Sequence, residues 1–221
     1  MAAGKVLYLG ISDTPAWLVV KCNDYARFHG LSPFVVYQGH WSCAFRDFER
    51  EIIPMVQAEG MGLAPWGAIG RGMLKKPEEY NDPERDGRKM VDKQPEHYIR
   101  ISKKLDEIAQ RKGTIITSIA LAYVMHKAPY VFPIVGGRKV EHLKGNIEAL
   151  SIELSEDEIN EIDDSEPFDV GFPLSFLLQG QTYRLGQTGD MPLVNTNWRI
   201  ETVQPIKVSH AKFHCSINTN K

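Results

Sequence analysis

Four short apolar runs alternate with helical segments along this sequence, and this alternation restricts the possible folds more than any other feature. The runs are Val6–Ile11, Phe34–Gln38, Met61–Trp66 and Tyr130–Val135. Each is predicted to be a strand, and the first is nearly continuously apolar, as expected of a strand that is buried on both faces of a parallel sheet. Alternating strand–helix units predict an α/β fold in which helices cover a parallel sheet.

Helical spacing of apolar residues follows each predicted strand. Pro15 suits the first turn of the first helix, and Gly30 ends it. Further helices are predicted at about 47–59, 98–113, 116–124, 140–150 and 156–164. Ser155 and Glu158 form a capping-box pattern at the start of the last helix.

Two architectures are compatible with four such units: a doubly wound sheet and part of a (β/α)₈ barrel. A complete barrel needs eight units and typically about 250 residues, so half of a barrel would be missing. The polar stretch 67–95 is predicted as a loop, and its charge-dense part 78–93 as a solvated loop or a flap over a ligand. Gly, Gln, Thr and Asn dominate after Phe176, so we expect a folded region at 1–176 and an irregular tail at 177–221.

Composition narrows the expected partners. The net charge of −2 provides no basic field for nucleic acid or anionic lipid. No apolar run approaches the roughly 20 residues of a membrane helix, and the first residues lack a signal-peptide pattern. Cys22, Cys43 and Cys215 are odd in number and fit no zinc spacing, so we expect reduced thiols in a cytoplasmic protein without a metal site. Small molecules or proteins remain as partners.

The predicted strands end in residues suited to ligand binding, at the sheet edge where α/β proteins bind their ligands. The hydroxyl, carboxylate and amide groups at the first two strand ends can hydrogen-bond an amide group of a ligand, and the Trp ring can stack on a flat ligand ring. The glycine-rich backbone and the cations at the last two strand ends suit the phosphates of a ligand. Taken singly, each residue more often has a purely structural role, but their occurrence together at four successive strand ends favours ligand binding. The candidates are Ser12 and Asp13, Gln38, then Trp66 with Gly67, Ala68, Ile69, Gly70, Arg71 and Gly72, and finally Gly136, Gly137, Arg138 and Lys139.

Four blocks of the sequence, in order, resemble the aldo-keto reductases, and most of all their fungal aryl-alcohol dehydrogenase and norsolorinic acid reductase group. The blocks are KVLYLGISD, FVVYQ, GLAPWGAIGRG and PIVGGRKVEHLKGNIEAL. The resemblance covers about 4–176. It implies the second half of a (β/α)₈ barrel that binds NADP(H) at the carboxyl ends of its strands, with the first strand here corresponding to the fifth of the barrel.

The resemblance also implies a role for each candidate residue. Ser12, Asp13 and Gln38 match the residues that bind the nicotinamide carboxamide, with Asp13 in place of the usual Asn. Trp66 matches the aromatic residue that stacks on nicotinamide, and 67–74 match the pyrophosphate loop, with Ala68 where many members have Pro. The block around the 2′-phosphate and adenine is matched by Gly136, Arg138, His142 and Asn146, with His142 where Gln is common.

The family's catalytic Asp, Tyr, Lys and His lie on or after strands that this sequence does not contain. We therefore expect an NADP-dependent oxidoreductase of aldehydes, ketones or aryl alcohols, of the fungal secondary-metabolism type, that is truncated and inactive alone. Two alternatives remain: a non-catalytic nucleotide-binding or interaction protein, and a truncated product without activity. Exposed half-barrel edges would favour self-association. His40 and Trp41 are candidates for lining a substrate pocket.

Overall fold

A parallel sheet with consecutive strand order forms the centre of the fold. The computed structural model describes residues 1, 3–82, 84 and 91–178. Strands β1 (Gly10–Ser12), β2 (Val36–His40) and β3 (Gly62–Trp66) pair in parallel in the order β1-β2-β3. The segment around Val131 and Ile134 continues this order, because parallel bridges join it to Leu63 and Trp66. The α/β class and the partial-barrel arrangement of neighbouring parallel strands are thereby confirmed.

Helices follow the strands. They are α1 (Ala16–Phe28), α2 (Ile52–Glu59), α3 (Pro77–Asn81), α4 (Glu96–Lys112), α5 (Ile116–Lys127), α6 (Val140–Glu148), α7 (Glu156–Asp164) and α8 (Leu174–Leu177). All but α3 and α8 lie where the apolar spacing predicts a helix. The capping box of α7 is present: the Glu158 amide donates to Ser155 Oγ (3.2 Å), and the Ser155 amide donates to Glu158 Oε2 (2.9 Å). Gly60 and Gly113 end α2 and α4 in the left-handed conformation, as helix C-terminal glycines often do.

The two outer strands are shorter than predicted. Regular pairing of the first strand begins only at Gly10, and the fourth forms two isolated bridges rather than a continuous ladder. Each lies at an edge of the described sheet and has a neighbour on one side only, and Pro133 has no N–H to donate. The interpretation of the first run as buried on both faces was wrong, since Leu7 is 75% exposed; Phe132 of the fourth run is 62% exposed.

The polar stretch 67–95 is more ordered than a loop. It contains a 3₁₀ turn at Gly70–Gly72 and the helix α3. Tyr80 on α3 is buried, and its hydroxyl donates to the carbonyl of Val91 (2.7 Å). Within the predicted charged loop 78–93, positions 83 and 85–90 lie outside the described residues, as do 179–221 of the predicted tail and Cys215. Helix α8 crosses the predicted boundary at 176/177.

The hydrophobic core lies between the sheet and the helices. Leu63 of β3 belongs to it, with Ile53 of α2, Leu105 of α4, Ile119 of α5 and Ile162 of α7. Helix α5 is apolar on nearly all sides and contributes eight buried residues, as expected of a helix enclosed by its neighbours. This core fixes the strands whose carboxyl ends carry the candidate residues.

An apolar face of α6 remains uncovered. The sequence places Val140, Leu143, Ile147 and Leu150 at helical spacing, and all four are exposed in the structure. Helix α6 follows the outermost strand segment, so no further strand lies beyond it in the described ranges. This face therefore belongs to the helix that follows the edge segment of the sheet in the chain.

Candidate functional site

The carboxyl ends of the strands meet in register. Ser12 at the end of β1 pairs with Gln38 of β2, and His40 at the end of β2 pairs with Trp66 at the end of β3. The Asp13 amide donates to the Gln38 carbonyl (3.1 Å) just beyond the ladder. Parallel pairing therefore brings candidates from three successive units to one edge.

The turn after β1 is fixed by hydrogen bonds to its own residues and to Tyr37. Asp13 adopts a left-handed φ of 48°, which Asp tolerates better than most residues. Ser12 Oγ donates to Asp13 Oδ2 (3.0 Å). The Tyr37 hydroxyl accepts from the Thr14 amide (3.0 Å) and donates to the Thr14 carbonyl (2.7 Å). Burial raises the pKa of Tyr37, so its hydroxyl stays protonated and holds the turn. Ser12 and Asp13 remain exposed.

Trp66 belongs to a stack of three rings. The His40 imidazole lies parallel to the indole, with centroids 4.3 Å apart and planes at 5°. Phe45 covers the other side of His40, with centroids 4.1 Å apart. The Arg71 guanidinium carbon lies over the Trp66 ring, 5.6 Å from its centroid. Burial, aided by the positive charge of Arg71, lowers the pKa of His40 below its ordinary 6.5.

The glycine-rich loop after β3 leaves no room for larger side chains at two positions. Gly67 and Gly70 have φ of 75° and 72°. A Cβ atom at Gly67 would lie 2.8 Å from the His40 ring, and one at Gly70 would lie 2.4 Å from Leu74 Cγ. The Gly70 amide donates to the Gly67 carbonyl (2.8 Å) and closes a tight turn. Such turns bring backbone N–H groups close to a phosphate.

Within this loop, Ala68 packs into the core, Ile69 and Gly72 are half-buried, and Arg71 is exposed. The buried side chain of Gln94 holds the far end of the loop, because its Nε2 donates to the carbonyls of Met73 (2.7 Å) and Lys75 (3.0 Å). The loop is thus anchored at both ends while the Arg71 side chain reaches solvent.

The last block lies beyond Ile134, whose bridge to Trp66 places it next in order along the same edge. Gly137 approaches the first turn of α6 closely, since a Cβ there would lie 2.7 Å from His142 Cβ. Asn146 is half-buried and the other candidates are exposed, namely Gly136, Gly137, Arg138, Lys139 and His142. The structure therefore leaves this cationic block accessible to a ligand.

Sequence reasoning missed the stacking role of His40. Its neighbour Trp41, which the sequence suggested for a substrate pocket, is fully buried in the core. Phe45 links the stack to a cavity of about 240 Å³, which is also lined by Arg46, His97 and Phe168. The available signal was the recurrence of aromatic residues after β2 and β3: His40, Trp41 and Phe45 follow one strand, and Trp66 ends the next.

The described ranges contain no helix long and apolar enough to cross a membrane. They also contain no group of three or more His, Cys, Asp or Glu side chains arranged to hold a metal ion. The thiols of Cys22 and Cys43 are free, and burial raises the pKa of Cys43 to about 12.

Comparison with known proteins gives concordant matches. The model of the aldo/keto reductase family matches residues 1–167. A norsolorinic acid reductase of Aspergillus flavus is 63% identical over 213 residues, which cover 94% of this chain and 54% of the relative. An aryl-alcohol dehydrogenase of Pestalotiopsis microspora is 50% identical over 208 residues, or 92% and 52% of the two chains. A crystal structure of a thermostable aldo-keto reductase superimposes with a TM-score of 0.59 at 25% identity, covering 75% of this chain and 50% of the other. The chain spans about half the length of these relatives.

Proposed function

This chain belongs to the aldo/keto reductase family, and from that premise we propose that its strand ends form the NADP(H)-binding part of an oxidoreductase. The observation that carries the proposal is the register of the sheet. It aligns Ser12 with Gln38 and His40 with Trp66, so polar groups and a flat ring share one edge. Open α/β sheets and barrels bind ligands at this edge.

The polar groups at the first two strand ends suit the carboxamide of nicotinamide. An amide offers both a donor and an acceptor, and the Gln38 side chain can match both. Ser12 adds a hydroxyl, whereas an ionised Asp13 can only accept. The ring of Trp66 offers a flat surface to the nicotinamide ring. When bound, the nicotinamide would supply or accept the hydride.

The backbone and cations of the later segments suit the phosphates. Gly67 and Gly70 let the loop after β3 pack tightly against His40 and Leu74, and a tight glycine-rich turn of this kind can present backbone N–H groups to a phosphate. Arg138 is exposed beyond the fourth strand segment, and a guanidinium pairs with phosphate in a bidentate manner. Arg138 on the 2′-phosphate would make the site prefer NADP(H) to NAD(H).

The substrate class proposed for the longer form of such a protein is an aldehyde, ketone or aryl alcohol. Matched relatives carry the names norsolorinic acid reductase and aryl-alcohol dehydrogenase. A role in secondary metabolism and a cytoplasmic location belong to the same proposal. Reduction of a carbonyl also needs an acid that protonates the developing alkoxide. Tyr37 is already committed to Thr14, and we propose that the chain alone is inactive.

Isothermal titration of the purified chain tests the cofactor proposal. NADPH should bind more tightly than NADH, and 2′,5′-ADP, which carries the 2′-phosphate without nicotinamide, should compete with NADPH. Binding of NADPH without turnover would also agree with a nucleotide-binding protein that is not an enzyme. The absence of binding by either dinucleotide would contradict the proposal.

We also propose that two copies of the chain associate through the open edges. Leu7 and Tyr8 are exposed before β1, and Phe132 and Ile134 are exposed on the other outer segment. All strands point the same way, so the first segment of one copy can pair in parallel with the last segment of another. Two copies related by a twofold axis would close a ring of eight strands, and the apolar face of α6 would then cover the new junction.

A further inference from the structure

His40 lies between two aromatic rings with little freedom to move. Its imidazole is parallel to Trp66 within 5° and to Phe45 within 14°. A Cβ atom at Gly67 would meet the His40 ring at 2.8 Å, so the glycine loop runs directly against it. Parallel ring pairs at such distances contribute about 0.5–1.5 kcal/mol beyond the area they bury. The stack therefore restricts the tilt of the indole.

The His40 ring is also poorly solvated. Its Nε2 atom is buried and has no hydrogen-bond partner. The charged groups that face it are Arg71 from the glycine loop, Asp13 from the turn after β1 and Asp47 from the segment before α2. Burial and Arg71 together outweigh the two carboxylates and lower the pKa of His40. A neutral imidazole is the form that stacks here at neutral pH.

We propose that His40 is a positioning residue that holds Trp66, through the Phe45–His40–Trp66 stack, in the orientation that receives the nicotinamide ring. His40 covers one face of the indole, so in this proposal a flat ligand stacks on the opposite face. This inference rests on the proposed cofactor site. It adds that the affinity for the nicotinamide portion depends on His40 and falls when the imidazole becomes protonated beside Arg71.

The first test uses the nucleotide-free chain. The pH dependence of tryptophan fluorescence is compared between the wild type and Trp66→Phe, because the difference isolates Trp66 from the other tryptophans. We expect a Trp66 transition with its midpoint below pH 6.5. His40→Phe retains an aromatic stack but cannot titrate, so the transition should vanish. A transition that persists in His40→Phe would overturn the assignment of the titrating group.

The second test compares ligands that differ in the nicotinamide half. His40→Ala should weaken NADP⁺ binding by roughly 2- to 13-fold, the equilibrium factor expected for one aromatic pair, and should leave 2′,5′-ADP binding unchanged. His40→Phe should restore NADP⁺ binding and leave it with only the pH dependence that 2′,5′-ADP binding shows between about pH 5 and 7, because the 2′-phosphate common to both ligands titrates in that range. Equal weakening of both ligands, or no weakening, would overturn the inference. If the wild type binds neither ligand, the proposed function fails together with the inference.

Discussion

The Tyr123 hydroxyl of α5 donates a 2.6 Å hydrogen bond to Oδ1 of Asp163 at the end of α7, and both side chains are buried. Lys127 binds the same carboxylate, and Arg46 forms a two-pronged pair with Glu49 (2.8 and 3.0 Å). Burial and the neighbouring carboxylates raise the pKa of Tyr123 well above its ordinary value. The two cations and two carboxylates of this cluster balance, which allows it to lie in the interior.

Replacing Lys127 by Met removes one cation and leaves the cluster with an excess negative charge. Because a broken buried ion pair leaves an uncompensated charge, the free energy of unfolding should fall by about 3–5 kcal/mol. Urea unfolding followed by circular dichroism measures it. The charge-balanced double variant Lys127→Met with Asp163→Asn should recover part of the loss. If the free energy of unfolding of Lys127→Met lay within about 1 kcal/mol of the wild-type value, Lys127 would not be needed to compensate the buried carboxylates.

Gly70→Ala should disturb the loop that we assign to the pyrophosphate. Alanine at the observed φ of 72° is strained by roughly 1–2 kcal/mol, and its Cβ would also lie 2.4 Å from Leu74 Cγ. Gly113→Ala is the matched control, since its φ is 66° but its Cβ would meet nothing within 4 Å. Both variants should lose stability, but only Gly70→Ala should weaken NADPH binding. Equal effects on binding would argue against the loop assignment.

The sequence predicted the order of the strands and helices and their alternation better than it predicted the burial of the two outer strands. Apolar runs such as Val6–Ile11 have the composition of buried strands, but burial depends on a neighbour, and in the described ranges the sheet ends there. Candidate residues followed from their places at strand ends. The stack of His40 on Trp66 did not, because it depends on the register that pairs these two residues and on the glycine at 67.

Self-association through the edges should depend on the apolar face of α6. Sedimentation velocity of the chain should show a species larger than the monomer, and Leu143→Glu should shift it toward the monomer by placing a charge on that face. Val91→Glu serves as a control, because Val91 is also exposed but lies outside both edges. A dilute monomer with a sharp melting transition in the unmodified chain would refute the proposed association.

The isolated chain should not oxidise NADPH in the presence of aryl aldehydes. General acid catalysis typically contributes 10²–10⁴-fold, and stabilisation of the developing alkoxide contributes as much or more. The absorbance at 340 nm should decrease no faster with the chain present than in the same mixture without protein. Robust turnover that persists through repurification and disappears when a Tyr of this chain is replaced would reveal an acid that the proposal lacks.

Nucleotide selectivity of Arg138→Ala tests the proposed cofactor site most directly. A charge-assisted contact contributes about 1.5–3 kcal/mol, so removal of the guanidinium should weaken NADPH binding by roughly 10- to 150-fold. Titration calorimetry of the wild type and of Arg138→Ala, each with NADPH and with NADH, measures the four affinities. We predict that NADPH loses affinity in Arg138→Ala while NADH binds as before. Equal losses for both cofactors, or no loss for NADPH, would contradict the assignment of this strand end to the 2′-phosphate.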